Sequence, residues 1–295
     1  MSLQTHKKTA AVLALIILAG TLGAMSWPGE QAGLFRNFGS NDNGNPALGM
    51  VFTVDTDVLA AEAGDVIFSR GVDDTASRLP SPLGAWTAID HGDGLISIYS
   101  RYSPEESRIV TQVEKEQPIA SPGISGWSSY NGFYFIVYDR RERRWINPAM
   151  IITPMMEARQ PQIISVELRN AQGVPVRPGN LTQGRYTILV NANSIAAARL
   201  TAGRNFPAAQ LAPHRIVCSV NGAEVGSINF EAVSARDGVL MIYRNGLVPA
   251  KQIYANYPAF ETAEVFLTRG QANLEIIVQD AAGNSRNYAS RMIVN

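Results

Sequence analysis

From about residue 50 onward, short runs rich in Val, Ile, Phe and Tyr are separated by Gly, Pro and Asp turns, and no long amphipathic helical period appears. That pattern predicts an all-β protein. Trp86-Thr87-Ala88-Ile89 and Leu95-Ile96-Ser97-Ile98-Tyr99 flank His91-Gly92-Asp93-Gly94, where glycine supplies the positive φ of a hairpin turn. Beyond residue 160, apolar and polar positions alternate over 163–168, 186–190, 216–220, 225–230, 239–243, 265–267, 274–279 and 288–294. Half-buried strands alternate in this way, and several of them with turns between predict a β-sandwich. Residues 193–204, which contain Ala196-Ala197-Ala198, break the pattern and read as a loop with one helical turn.

Boundaries follow from composition. Residues 26–46 are rich in Gly, Asn, Ser and Pro, most densely at Asn41-Asp42-Asn43-Gly44-Asn45-Pro46. Such a segment buries little apolar surface and reads as a tether. A second break lies where Pro154 and Pro161 bracket an unpatterned stretch. At the start, His6-Lys7-Lys8 precedes an uncharged run over residues 9–25, the form of a secretory signal. The alternative is an uncleaved anchor in the inner membrane, for which the run is barely long enough. The organisation expected is a signal peptide or anchor at 1–26, a linker at 27–46, a first β domain at 47–153, a linker at 154–161 and a second β domain at 162–295. A chain of 295 residues suffices for two domains, each with its own core.

Charge narrows the partners. Lys plus Arg and Asp plus Glu are both 25, so no field draws in nucleic acid. The single cysteine, Cys218, lies in the alternating run Arg215-Ile216-Val217-Cys218-Ser219-Val220, which makes it a small buried strand residue and excludes an internal disulfide. With the N-terminal segment removed, His91 and His214 are the remaining histidines, and neither lies in a nucleophile motif.

Three ordered segments carry a resemblance: residues 58–66 (VLAAEAGDV), 84–103 (GAWTAIDHGDGLISIYSRYS) and 131–139 (NGFYFIVYD). Gln117, Ile119, Gly123, Ser125 and Gly126, followed later by Asn147-Pro148, extend it. Together they resemble the LytM or lysostaphin-like zinc metallopeptidases, which cut peptide cross-links in peptidoglycan, over about residues 47–153. The resemblance implies a LytM-like antiparallel β domain of the duplicated-hybrid-motif type. The turn Asp280-Ala281-Ala282-Gly283-Asn284 resembles that of bacterial immunoglobulin-like modules, which implies an immunoglobulin-like sandwich for the second domain.

Matched residue by residue, the family's first motif, His-x-Gly-x-Asp, falls on Ala47-Leu48-Gly49-Met50-Val51. Its His-x-His falls on Phe133-Tyr134-Phe135, and its further His, two residues after a Tyr, falls on Arg101. Zinc needs imidazole, carboxylate or thiolate donors, which Ala47, Val51, Arg101, Phe133 and Phe135 do not offer. The resemblance therefore implies an enzyme-like scaffold without catalytic residues, metal or other cofactor. Phe133 and Phe135 are expected to fill the space of a hydrated metal, and Trp127, Tyr130, Tyr134 and Arg101 are the binding candidates.

His91 with Asp90 and Asp93 reads as a turn, and Arg140-Arg141-Glu142-Arg143-Arg144 as a solvated hairpin turn. The function expected is an exported, non-catalytic protein of the periplasm or cell envelope that binds peptidoglycan or regulates a cell-wall hydrolase. Two alternatives stand beside it. One is an active zinc peptidase using His91 with Asp55 or Asp57, and the other is a structural envelope protein whose sandwich makes protein contacts.

Overall fold

The computed structural model describes residues 25–30, 33–71, 81–104, 110–152, 160–179, 181–195, 199–201, 204–206 and 210–295. The expected signal or anchor lies almost wholly outside them, as do most of the 154–161 linker and Ala196-Ala197-Ala198. No helix among the described residues is long and apolar enough to cross a membrane.

The protein is all-β and its strands pair antiparallel, as the hydrophobic pattern predicts. In the first half the principal strands are β1 (Leu34–Arg36), β2 (Met50–Phe52), β3 (Gly64–Arg70), β4 (Ala85–Asp90), β5 (Leu95–Tyr102), β6 (Phe133–Asp139) and β7 (Arg144–Ile146). β6 is central to the site, because it pairs with β5 on one side and with both β2 and β7 on the other. β4 and β5 form the expected hairpin: Gly92 and Gly94 take φ of +80° and +93°, and the His91 N–H donates to the Leu95 carbonyl at 3.1 Å. The arginine-rich turn also forms, with the Asp139 Oδ1 accepting from the N–H groups of Arg141 and Glu142 at 2.9 and 3.0 Å.

The second half contains β8 (Gln162–Asn170), β9 (Gly184–Ile195), β10 (Arg215–Val220), β11 (Ala223–Arg236), β12 (Val239–Arg244), β13 (Ala259–Leu267), β14 (Gly270–Gln279) and β15 (Ser285–Val294). β8, β9 and β13 make one sheet, while β15, β14, β10, β11 and β12 follow in order in another. Alternation along β10 buries Ile216, Cys218 and Val220. Burial pushes the Cys218 thiol up to about 12, so it remains a protonated, inert core group. Around the alanine run the described residues form a small strand pair, Arg199–Thr201 with Arg204–Phe206. The one α-helix among the described residues is short, Ala250–Tyr254, and no sequence signal pointed to it.

Two expectations change. Residues 27–46 do not form a tether: Trp27 and Phe38 are buried, β1 pairs with β2, and Asn41–Asp42 pairs with Asn45–Pro46 around the left-handed residues Asn43 and Gly44. The aromatic side chains spaced through this polar stretch anchor it. The halves also share a sheet, because β7 pairs with β11, with Trp145 opposite Val233 and Ile146 opposite Ala232. Their buried residues belong to one contiguous core.

Further bonds hold that junction. The Asn37 amide donates to the Ala212 carbonyl and accepts from its N–H, both at 2.8 Å, and the Tyr254 hydroxyl donates to the Gly39 carbonyl. Buried Asn147 donates through Nδ2 to the Phe230 carbonyl at 2.9 Å and accepts from the Ala149 N–H at 3.1 Å. Asn147→Ala would orphan both backbone groups and is expected to lower stability by about 2 kcal/mol. Urea denaturation checks this, and a loss under about 0.5 kcal/mol, within the range of ordinary surface changes, would show that the junction does not depend on it.

Candidate functional site

Residues placed directly opposite on paired strands project to the same face. Tyr134 lies opposite Val51 on β2 and Ser100 on β5, so these three share one face of the sheet. Phe133 and Phe135 point to the other face, opposite Phe52 and Met50, and both are buried. There Phe133 stacks on Phe52 at 5.0 Å between ring centroids, and Phe135 packs against Tyr99 at 5.2 Å. Four of the five positions aligned to the family's ligands and catalytic His are therefore divided between two faces. Phe133 and Phe135 build the core beneath the sheet, while Val51 and Arg101 lie with Tyr134.

Arg101 joins that face because the backbone bends. Ala85 pairs with Tyr102 and Trp86 with Ser100, so Arg101 is the extra residue of a β-bulge, and its φ is +67°. A bulge re-aims a side chain that strict alternation would send elsewhere. Here it places the guanidinium carbon 4.8 Å from the centre of the Tyr134 ring, a cation–π stack. The left-handed conformation disfavours a residue with a Cβ, so this placement is strained.

Burial sets the electrostatics of the pair. It pushes the Tyr134 phenol up to about 12, and the phenol also meets the backbone of Leu48. It lowers the Arg101 pKa, an effect partly opposed by Tyr134 and Asp42. The Arg101 Nε is buried without a hydrogen-bond partner among the described residues. Beside the pair, Arg36 makes an ion pair with Asp42 at 3.2 Å, and Phe35 packs on Tyr130 at 4.5 Å. Sequence reading overlooked Phe35, Arg36 and Asp42. The signal available was the run Leu34-Phe35-Arg36-Asn37-Phe38, too apolar for a solvated tether.

Gly49 permits the close approach beneath this face, since a Cβ there would lie 2.2 Å from the Phe135 carbonyl oxygen. Ala47 is buried and its backbone is tied to residues 39 and 40. Trp127 is 76% exposed and makes no ring contact among the described residues. Of the binding candidates, Tyr134 and Arg101 come together, Tyr130 joins Phe35, and Trp127 stands apart on its loop.

The alternative metal set is not assembled. His91 Nδ1 lies 2.7 Å from the Ala63 carbonyl, which can only accept, so Nδ1 carries the proton. Its Nε2 then accepts from the Ser97 hydroxyl at 2.8 Å, and both ring nitrogens are engaged. Asp55 is bonded to Asn131 and Asp57 to Ser121. Among the described residues no three His, Cys, Asp or Glu side chains group as metal ligands. His214 is half-buried, and desolvation lowers its pKa.

A family model that carries no description matches residues 160–295. No curated protein matches the chain. Several solved structures are similar to part of it. One is the catalytic domain of the prophage-encoded M23 protein EnpA from Enterococcus faecalis, at 21% identity over 43% of this chain and 96% of that one, with a TM-score of 0.34. A zinc-containing peptidase from Vibrio cholerae is 20% identical over 42% of this chain and 39% of its own, with a TM-score of 0.35. The SpoIIQ–SpoIIIAH pore-forming complex matches at 20% identity over 43% of this chain and 90% of the matched one, with a TM-score of 0.34.

Proposed function

We propose that this is an exported envelope protein whose LytM-like half, residues 47–153, binds peptidoglycan or a wall hydrolase without cutting peptide bonds, and whose second half, from residue 162, is an immunoglobulin-like sandwich. The observation that carries the reading is the content of the β2–β5–β6 face, where Val51, Tyr134 and Arg101 meet in the region aligned to the family's site. These groups do not fit zinc. Valine has no donor, a phenol pushed to about 12 stays protonated, and a guanidinium repels a dication. What remains is suited to recognition, since an aromatic ring, a cation and a neighbouring aromatic pair offer contact area and a charged handle.

The order of the second half supports the sandwich: β8, β9 and β13 stand in one sheet and β15, β14, β10 and β11 in the other, as in immunoglobulin-like domains. Elemental analysis of the purified protein after zinc loading tests the non-catalytic reading. No stoichiometric, chelator-sensitive zinc is expected, and zinc bound one per chain with a wall-cleaving activity that a chelator abolishes would refute it.

A further inference from the structure

We propose that Arg101 and Arg36 together receive a carboxylate of a bound peptide, and that the Asp42 carboxylate holds this position in the free protein. The proposal rests on the reading of the β2–β5–β6 face as a binding surface and specifies the chemistry recognised there.

Two unfavourable features coincide at Arg101. It occupies a left-handed bulge position that glycine would fill without strain, and its Nε is a buried donor with no acceptor among the described residues. No ion pair to Arg101 occurs among the described residues, and the Asp42 carboxylate on the same side pairs with Arg36. Arg36 lies opposite Val51, Val51 lies opposite Tyr134 and Arg101 stacks on Tyr134, so two guanidinium groups share this face, and among the described residues only Arg36 has a carboxylate partner. Guanidinium forks match carboxylates through paired N–H donors, which a point charge such as lysine does not reproduce.

Asp42 identifies the ligand class, since the group already paired with Arg36 on this face is itself a carboxylate. It is poorly held there. Its side chain is 47% exposed, and it belongs to a two-residue strand closed by the left-handed Asn43-Gly44 turn. A ligand carboxylate that replaced it would bridge both guanidinium groups above the Tyr134 ring on which Arg101 stacks. Salt would weaken such binding only in part, because Arg101 is partly shielded from solvent.

Isothermal titration of the full chain with N-acetyl-dialanine and with its C-terminal carboxamide tests the proposal. The acid is expected to bind about tenfold more tightly than the amide, the order of a charge-assisted bidentate contact. Arg101→Asn should abolish that preference while keeping the fold, since asparagine tolerates the left-handed conformation. Asp42→Asn should tighten acid binding several-fold, a gain that a purely structural Arg36–Asp42 pair would not produce. Equal affinity for acid and amide, no binding of either, or unchanged or weakened acid binding by Asp42→Asn would overturn the proposal. Co-sedimentation with purified sacculi separates the two readings. Protein that pellets with sacculi but does not discriminate acid from amide contradicts the carboxylate site alone, whereas protein that stays in the supernatant contradicts peptidoglycan as the partner of this face.

Discussion

Gly132→Ala is expected to prevent stable folding, at a cost above about 4 kcal/mol, the exceptional end of single-substitution effects, where overpacking and backbone strain at a special φ combine. Gly132 has a φ of +153°, and a Cβ built on it would lie 1.8 Å from the Phe52 carbonyl oxygen and 3.1 Å from the Thr53 Cα. Neither partner can move away cheaply. Gly132 exchanges two backbone hydrogen bonds of 3.0 Å with Gly123, and the next residue, Phe133, is already in register with Phe52. The strain would fall at the start of β6, the strand that carries Tyr134 on one face and Phe133 and Phe135 on the other. Circular dichroism and urea denaturation of the variant check this, and a loss below about 1 kcal/mol would mean that the β2–β6 approach is loose.

Phe135→Ala is expected to cost about 3 to 5 kcal/mol, the range for deleting a buried phenyl ring. The ring is fully buried and packs against Tyr99, whose hydroxyl accepts from the Ala61 N–H at 2.7 Å. A cavity at Phe135 therefore also loosens the buried hydrogen bond that holds Ala61. Phe135→His should cost less, about 1 to 3 kcal/mol, because the imidazole keeps much of the volume but buries polar nitrogens. It should bring no metal, since the side chain projects away from Val51 and Arg101. Chemical denaturation with and without zinc checks both variants. Stabilisation of Phe135→His by zinc would place this position in the site face.

Much of the fold was legible because local rules decided it. The His91-Gly92-Asp93-Gly94 turn needed positive φ at glycine and has it, and the alternation of 215–220 buried Cys218. The face of β6 was harder to read, because Phe133-Tyr134-Phe135-Ile136-Val137 is apolar on both sides and offers no parity. Only the register with Val51 and Ser100 shows which residues turn toward the site. Arg101 gave no local sign of its bulge, since the position that favours glycine holds arginine and the conformation is imposed by strand pairing.

Long-range pairing explains the remaining differences. Residues 27–46 carry turn-forming composition, and their order comes from contacts with distant partners such as Ala212, Phe230 and Tyr254. The shared sheet has the same origin, because nothing in Arg144-Trp145-Ile146 states that its free edge will meet residues 232–234. Sequence patterns report which residues want burial. They do not report which buried surfaces find each other.

The most direct test of a binding face without catalysis is a single incubation of the purified protein with sacculi, read for both pelleted protein and released peptide. Protein pelleting with the sacculi and no peptide released, with or without zinc, is the result predicted. Protein remaining in the supernatant would contradict peptidoglycan binding, and peptide released in a chelator-sensitive manner would contradict the absence of catalysis.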